Sequence, residues 1–468
     1  MGKLMAFNVA IVGSGPAGFY LTEALFGSGL PVRVDMIERL PVPFGLVRHG
    51  VAPDHQKLKA ATSTFEQIAG HEHFSFFGNL QVGRDIDIAE LLAVYDAVVL
   101  ATGAISDRSL DIEGEDLAGS VAATDLVGWY NGHPDFRDKI FDFSHPTAVV
   151  IGNGNVALDV CRILAKSADE LKQSDICRHA LEALADSKIT DIVLVGRRGP
   201  GQAKFTAKEL REFNQLAVAE PVIDPEDLVL NSATAHELAS PEGAGAARNV
   251  QIFGGFSSSQ SARGKPKRIH FRFYLAPRRI EGDACAERVI FDRSRLVGPA
   301  FAQTLETIGT GTEIATGLVV RSVGYRGAEM PGVPFDMRTA TIPNRDGRVV
   351  DGDGAAVPRL YVSGWIKRGP SGVIGTNRAC GIDTSLAILA DLQAQASSPD
   401  DEKDQRRATF LASLRGRSRK IVDFAGWRRI DAAERAAGAA SAKPREKLTT
   451  IPAMIDAAEG RGDRVACV

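Results

Sequence analysis

Three glycines and an acid near the start of the chain have the residue types and spacing that hold a dinucleotide. Gly13-Ser14-Gly15-Pro16-Ala17-Gly18 follows a short apolar run and precedes a helical pattern. The first glycine allows the tight turn, the second lets the backbone approach a pyrophosphate, and the third lets helix and strand pack closely. The phosphates then rest on free N–H groups at the helix N-terminus. Glu38, 20 residues after Gly18, accepts hydrogen bonds from ribose hydroxyls and repels a 2′-phosphate. A glycine turn alone is a weak signal; strand, helix and acid together make it a strong one.

A second turn of the same kind lies about 140 residues on. Gly152-Asn153-Gly154-Asn155-Val156-Ala157 is the variant with alanine in the third place. Its returning strand ends in Gly196-Arg197-Arg198-Gly199, not in an acid. Two guanidinium groups where ribose is read suit a 2′-phosphate. The ordinary alternative is an exposed arginine pair on a loop. The chain thus holds two dinucleotides, one with a plain ribose and one NADP, as a flavin enzyme reduced by a nicotinamide requires.

The elements that position these turns are legible as patterns. Phe7 to Val12 and Val32 to Ile37 read as buried parallel strands flanking a helix from Ala17 to Phe26. Tyr95 to Ala101 is a later buried strand. Ala148 to Ile151 and Ile192 to Val195 frame the second turn, and Leu360 to Ser363 is a late strand. Then comes a glycine-rich run from Ser363 to Thr376, followed by a helical stretch through Leu386. Its glycines permit close backbone approach, and the helix after it aims its positive end at whatever lies there. Trp365 packs either on a ring system or in the core. This late run implies the order FAD segment, inserted NADP segment, FAD segment resumed: residues 1–105, 106–329 and 330–468. Ser397 to Arg407 reads as a polar connector, and the Ala- and Arg-rich chain beyond it as a helical extension.

Composition narrows the class. The chain has 468 residues, with 55 Lys+Arg against 58 Asp+Glu. That near-balance argues against a general nucleic-acid binder. The apolar fraction of 44% is ordinary for a globular protein. No stretch approaches ~18 apolar residues, so no membrane span is expected, and the N-terminus lacks a leader pattern, which points to the cytoplasm or to a trimmed mature form. The five cysteines form no C-x-x-C and no four-cysteine cluster, so no metal or iron–sulfur site is expected in this chain. They read as small buried hydrophobes. Seven basic residues between Arg263 and Arg279, uninterrupted by an acid, read first as a solvated strand face and second as a docking patch. Arg197, Arg198, Lys204, Lys208 and Arg211 form another basic stretch, with Glu209 and Glu212 inside it.

Longer motifs resemble a known family. Glu38 to His55 (ERLPVPFGLVRHGVAPDH), Gly152 to Asp159, Val323 to Gly327 and Trp365 to Asn377 are similar to the signatures of adrenodoxin-reductase-type ferredoxin–NADP reductases, in their actinobacterial branch. The resemblance runs from about Phe7 to about Lys447. It implies an α/β, three-layer, glutathione-reductase-like fold of two Rossmann-like domains, with the NADP domain inserted into the FAD domain. Ala17, Glu38, Leu46, Val82, Trp365, Gly372, Val373 and Ile374 match flavin-contacting positions. Arg108, Asn155, Val156, Arg197, Arg198 and Glu209 match NADP-contacting ones. His55 and Glu212 match a His and a Glu that the family carries near the flavin. Asp54 is placed to cap a helix beginning near His55, which would set the imidazole at a helix N-terminus. Proton handling and a structural bond between domains both remain open for His55. The resemblance implies electron flow from NADPH through FAD, one electron at a time, to a ferredoxin-type iron–sulfur protein that is acidic and binds transiently.

Three other classes share parts of this plan. A flavin disulfide reductase needs a dithiol that this chain lacks. A flavin-dependent NADPH monooxygenase would consume oxygen with an organic substrate. A non-catalytic dinucleotide-binding subunit would bind NADPH without bleaching a flavin. The long motifs favour the reductase.

Overall fold

The computed structural model describes residues 7–259, 264–394, 400–417 and 420–461. Two sheets organise them. The first has seven strands in the order Asn344–Arg345, Arg348–Val350, Ala356–Val362, Ala97–Leu100, Phe7–Val12, Val32–Ile37, Phe74–Phe77. The five from Ala356–Val362 onward are parallel, with Val9 opposite both Val34 and Ala97. Strands that precede and follow the second sheet in sequence therefore share one sheet.

The second sheet lies between them in sequence. Its six strands are all parallel, in the order Ser120–Ala122, Leu318–Arg321, Thr147–Ile151, Asp191–Val195, Lys267–Arg272, Ala219–Ile223. The chain leaves the first sheet through Ser106–Asp107 and returns through Tyr325–Arg326, and these two connectors pair antiparallel. A three-stranded antiparallel sheet, Leu275–Glu281, Arg288–Val297 and Thr304–Ala315, packs on the second unit.

The near-continuous apolar strands follow from burial on both faces. Val9 and Ile11 face one core with Phe19, Leu25 and Ile388; Ala10 and Val12 face another with Leu91 and Ile366. Ala148 and Val150 split from Val149 and Ile151 in the same way. Because successive strand side chains point to opposite faces, each sheet is the middle of three layers.

Some expectations need correction. From Asp400 the supposed connector is the start of a helix, Asp400–Gly416. Its charges are partnered: Arg407 grips buried Asp35 at 2.6 and 2.5 Å, and Lys403 meets Asp96 at 2.7 Å. The rest of that segment, 397–399, lies outside the described residues. The basic run does not form one face. Lys267–Arg272 is an interior strand of the second sheet, whereas Arg278 and Arg279 lie in the antiparallel one, paired with Asp292 and Glu281. Arg263 is outside the described residues. Of the cysteines, Cys161, Cys177 and Cys380 are buried, but Cys285 is exposed. The C-terminal extension is helical, with Phe424–Ala439 and Ile451–Ala458 placing Trp427, Ile430 and Met454 in the core of the first unit. Among the described residues no helix is long and apolar enough to cross a membrane, and no cluster of His, Cys, Asp and Glu could hold a metal ion.

Candidate functional site

The first glycine turn has one closed side and one open side. A Cβ on Gly13 would stand 2.5 Å from the Ala101 carbonyl oxygen, and its φ of +104° disfavours any side chain. A Cβ on Gly18 would stand 2.4 Å from the Gly13 carbonyl oxygen. At Gly15 nothing lies within 4 Å. The turn is therefore tight against its own strand and leaves a cradle where a pyrophosphate must come close, so these residues fit FAD. Glu38, just past the strand end, accepts from the Ser14 N–H (3.1 Å) and hydroxyl (2.7 Å), which aims its carboxylate at the turn. Its other oxygen accepts from the Leu40 N–H at 3.0 Å.

The late glycine run folds back onto that turn. A Cβ on Gly364 would meet Ala17 Cβ at 2.5 Å, so only glycine allows this approach. The Gly364 N–H donates to Cys380 Sγ at 3.2 Å. Trp365 opens a single helical turn, donates its indole N–H to the Ser371 carbonyl (3.1 Å), and sets its ring 5.6 Å from that of Tyr325. Gly372 and Val373 are exposed and Ile374 is half-buried, all just before the helix Thr376–Ala394. Leu46 starts a one-turn helix beside Gly45, which abuts Gly15. Val82 is buried in the core beneath the sheet.

The second turn repeats the plan. A Cβ on Gly152 would stand 2.1 Å from the Ser322 carbonyl oxygen, while Gly154 is open. Ala157 is fully buried and Val156 packs at the edge of the core. Asn155 Oδ1 accepts from the Thr206 N–H at 2.9 Å, tying the helix start to the loop that leads to Glu209. Arg197 and Arg198 are exposed past the strand Asp191–Val195, and neither guanidinium has a hydrogen bond or ion pair among the described residues. Asn153 Oδ1 and Glu209 Oε2 are buried without a hydrogen-bond partner. Exposed guanidinium groups just past Gly196, against which Asn153 packs, fit a phosphorylated ribose. Arg108 lies on the connector, its N–H donating to the Gly324 carbonyl at 3.0 Å.

Between the units lies a polar cluster. His55 Nε2 is 2.9 Å from Glu212 Oε2, and Nδ1 is 3.8 Å from Asp159. Arg162, almost wholly buried, contacts Asp159 at 2.8 Å and Glu212 at 3.6 Å. Burial drives the Asp159 carboxyl above its ordinary range against Arg162 and His55. Burial also works to raise Glu212, but the His55 hydrogen bond and the nearby cations hold it below its usual value. Tyr130 Oη is buried without a hydrogen-bond partner in this cluster's field, its ionisation pushed well up by burial and by Asp159.

The expected cap by Asp54 is overturned. The helix at Gln56–Lys59 is a single turn with His55 at its N-cap and no side-chain cap bond. Asp54 instead accepts from Arg162 Nε (2.7 Å) and Nη2 (2.9 Å) and from Lys166 (2.9 Å). Two cations, buried Arg162 and half-buried Lys166, outcompete a local backbone bond for this carboxylate. Beyond the place of Asp159 at the end of the Gly152-to-Asp159 motif, Asp159 and Arg162 carry only their three-residue spacing on one helix face, which announces a pair and not its neighbours.

Known proteins resemble the chain over nearly its whole length. Residues 7–195 match the family model described as pyridine nucleotide-disulphide oxidoreductase. The chain is 45% identical over 461 residues to the NADPH-ferredoxin reductase FprA of Mycobacterium tuberculosis, covering 96% of this chain and 98% of that one. It is 40% identical to the mitochondrial NADPH:adrenodoxin oxidoreductase of Arabidopsis thaliana, covering 96% and 95%. The solved structure of the Mycobacterium tuberculosis FprA with NADPH superposes with a TM-score of 0.90 at 43% identity, over 97% of this chain and all of that one.

Proposed function

The chain belongs to the adrenodoxin-reductase-type ferredoxin–NADP reductases, and from that premise we propose that it carries electrons from NADPH through FAD, one at a time, to an acidic ferredoxin-type iron–sulfur protein that docks transiently in the cytoplasm. One observation carries the reading. The two glycine turns sit on two separate sheets, one facing an acid, Glu38, and the other an unpaired arginine pair, Arg197 and Arg198.

FAD held by these residues would supply the chemistry that converts a two-electron donor into single-electron transfers. The protein's residues position and tune. Residues 1–105 and 330–468 hold FAD: Gly13, Gly15, Gly18 and Ala17 around the pyrophosphate, Glu38 on the ribose, and Leu46, Val82, Trp365, Gly372, Val373 and Ile374 around the rings. Residues 106–329 hold NADP(H). There Gly152, Asn153, Gly154, Asn155, Val156 and Ala157 form the turn, Arg197 and Arg198 bind the 2′-phosphate, and Arg108 and Glu209 complete the site. His55 and Glu212 share a proton across the cleft, where their bond also joins the two units.

Anaerobic titration with NADPH tests this. The purified yellow protein bleaches with one equivalent of NADPH, and added ferredoxin restores the colour. Oxygen uptake coupled to an organic substrate, or no bleaching at all, would select the monooxygenase or the non-catalytic subunit instead.

A further inference from the structure

The turn that carries His55 is tied down at its far end by a second buried cluster. Lys59, four residues on, donates to both oxygens of Asp175 (2.7 and 2.8 Å) and to Asn131 Oδ1 (3.1 Å), so all three ammonium protons are used. Lys447 of the C-terminal extension reaches the same two partners, Asn131 Oδ1 and an Asp175 oxygen, each at 3.1 Å. All four side chains are buried. Lys59 belongs to the first unit and Asn131 and Asp175 to the second, so the cluster crosses between them. The backbone crosses beside it: the Asp175 N–H donates to the Pro53 carbonyl (3.3 Å), and Asn131 Nδ2 to the Val51 carbonyl (3.1 Å). The Lys59 N–H in turn donates to the His55 carbonyl at 3.2 Å.

Burying an ammonium is costly, and an apolar contact would fasten two surfaces as well. Here burial pushes the Lys59 ammonium down to about 7 in spite of Asp175. What a buried, three-coordinate cation adds over an apolar contact is direction. We propose that Lys59 is a positioning residue for the reaction: by fixing the Gln56–Lys59 turn on Asp175 and Asn131, it holds His55 at its hydrogen-bonding distance from Glu212. The inference rests on the reading of His55 as a group beside the flavin.

Lys59→Met tests it cleanly, because Lys447 still neutralises Asp175 and the core stays balanced. The FAD-loaded variant is mixed with NADPH anaerobically in a stopped-flow instrument, and NADP+ binding is titrated separately. The expected result is flavin reduction slowed on the order of tenfold with NADP+ affinity unchanged, as for a group misplaced by a fraction of an ångström. In the double variant with His55→Gln the losses should not multiply, since one residue acts through the other. Lys447→Met gives up bonds to the same two partners but leaves Lys59 held, and should reduce at the normal rate. Should Lys59→Met fail to load FAD, Asn131→Ala removes one of its three acceptors and should slow reduction by a smaller factor. A normal rate in Lys59→Met or Asn131→Ala, or losses that multiply with His55→Gln, overturns the proposal. A normal rate in His55→Gln alone overturns the reading of His55 beneath it.

Discussion

His55 and Glu212 meet at 2.9 Å across the junction of the two units, one from the first glycine-turn half and the other from the end of the helix Ala207–Glu212. Neither is near the other in sequence, and each is held by its own supports. The bond is therefore both a fastening and a place where a proton can be shared. Replacing His55 with Gln keeps a hydrogen bond to Glu212 and removes the titratable group. We expect slower flavin reduction in stopped flow, with a much smaller change in NADP+ affinity. A variant that reduces normally but melts earlier would assign His55 to stability alone.

The glycines of the first turn should separate folding from binding. Gly15→Ala meets no atom in the protein. It should melt like the wild type and yet bind FAD weakly. Gly13→Ala places a side chain at φ +104° and against a carbonyl oxygen. Strain of that kind costs roughly 1–3 kcal/mol, so the apoprotein itself should melt earlier. Calorimetry of both apoproteins and FAD titration by fluorescence make the comparison.

Asp54→Asn should be the most damaging of the charge changes. Breaking a buried ion pair by removing one partner costs about 3–5 kcal/mol, and Arg162 would keep its burial and lose its main acceptor. Burial works to raise the Asp54 carboxyl, yet Arg162 and Lys166 hold it far below its ordinary range. Its stabilisation is thus complete above the ordinary carboxyl pKa of ~4 and is lost as pH falls toward the depressed native value. Urea unfolding at pH 7 and at pH 4 measures this. At pH 4 the gap between wild type and Asp54→Asn should still be close to its pH 7 size, and it should narrow clearly when the same unfolding is repeated at about pH 3.

Turnover with an acidic ferredoxin should fall with added salt, while reduction of a small neutral acceptor changes little. Lys204, Lys208 and Arg211 are exposed, as are Arg197 and Arg198. Steering by such charges is screened over a Debye length of ~8 Å at physiological salt. Equal salt responses for both acceptors, at saturating NADPH, would remove this stretch as the docking surface.

Coenzyme preference should rest on Arg197 and Arg198. A hydrogen bond to a charged group is worth ~1.5–3 kcal/mol, and both guanidinium groups are exposed, which lowers the figure. Two such bonds at the lower end of the range, about 3 kcal/mol together, give NADPH a preference over NADH on the order of 10². Replacing both with Ala should remove most of kcat/KM for NADPH and little for NADH. A variant that loses both coenzymes equally would show that the pair reads another group.

The parts of this protein legible in its sequence are those set by neighbours along the chain. The strands Phe7–Val12 and Thr147–Ile151 announce themselves as apolar runs because both of their faces are covered. The glycine turns do so because a tight strand-to-helix bend places its glycines at fixed spacing, and Glu38 and Arg197 because they stand at or just past a strand end. What the tertiary structure decided are the partners of charged side chains. Asp54 sits where a helix cap would be, yet folding brings Arg162 and Lys166 to it from 108 and 112 residues away, and charge-assisted bonds in a dry interior win. The basic run ending at Arg279 reads as one patch, yet strand pairing divides it between an interior strand and an antiparallel sheet. Lys59, Asp175 and Lys447 give no local sign of meeting. Backbone patterns are local and periodic, so a sequence displays them; a buried charge finds its partner through the packing of distant segments, which only the folded chain defines.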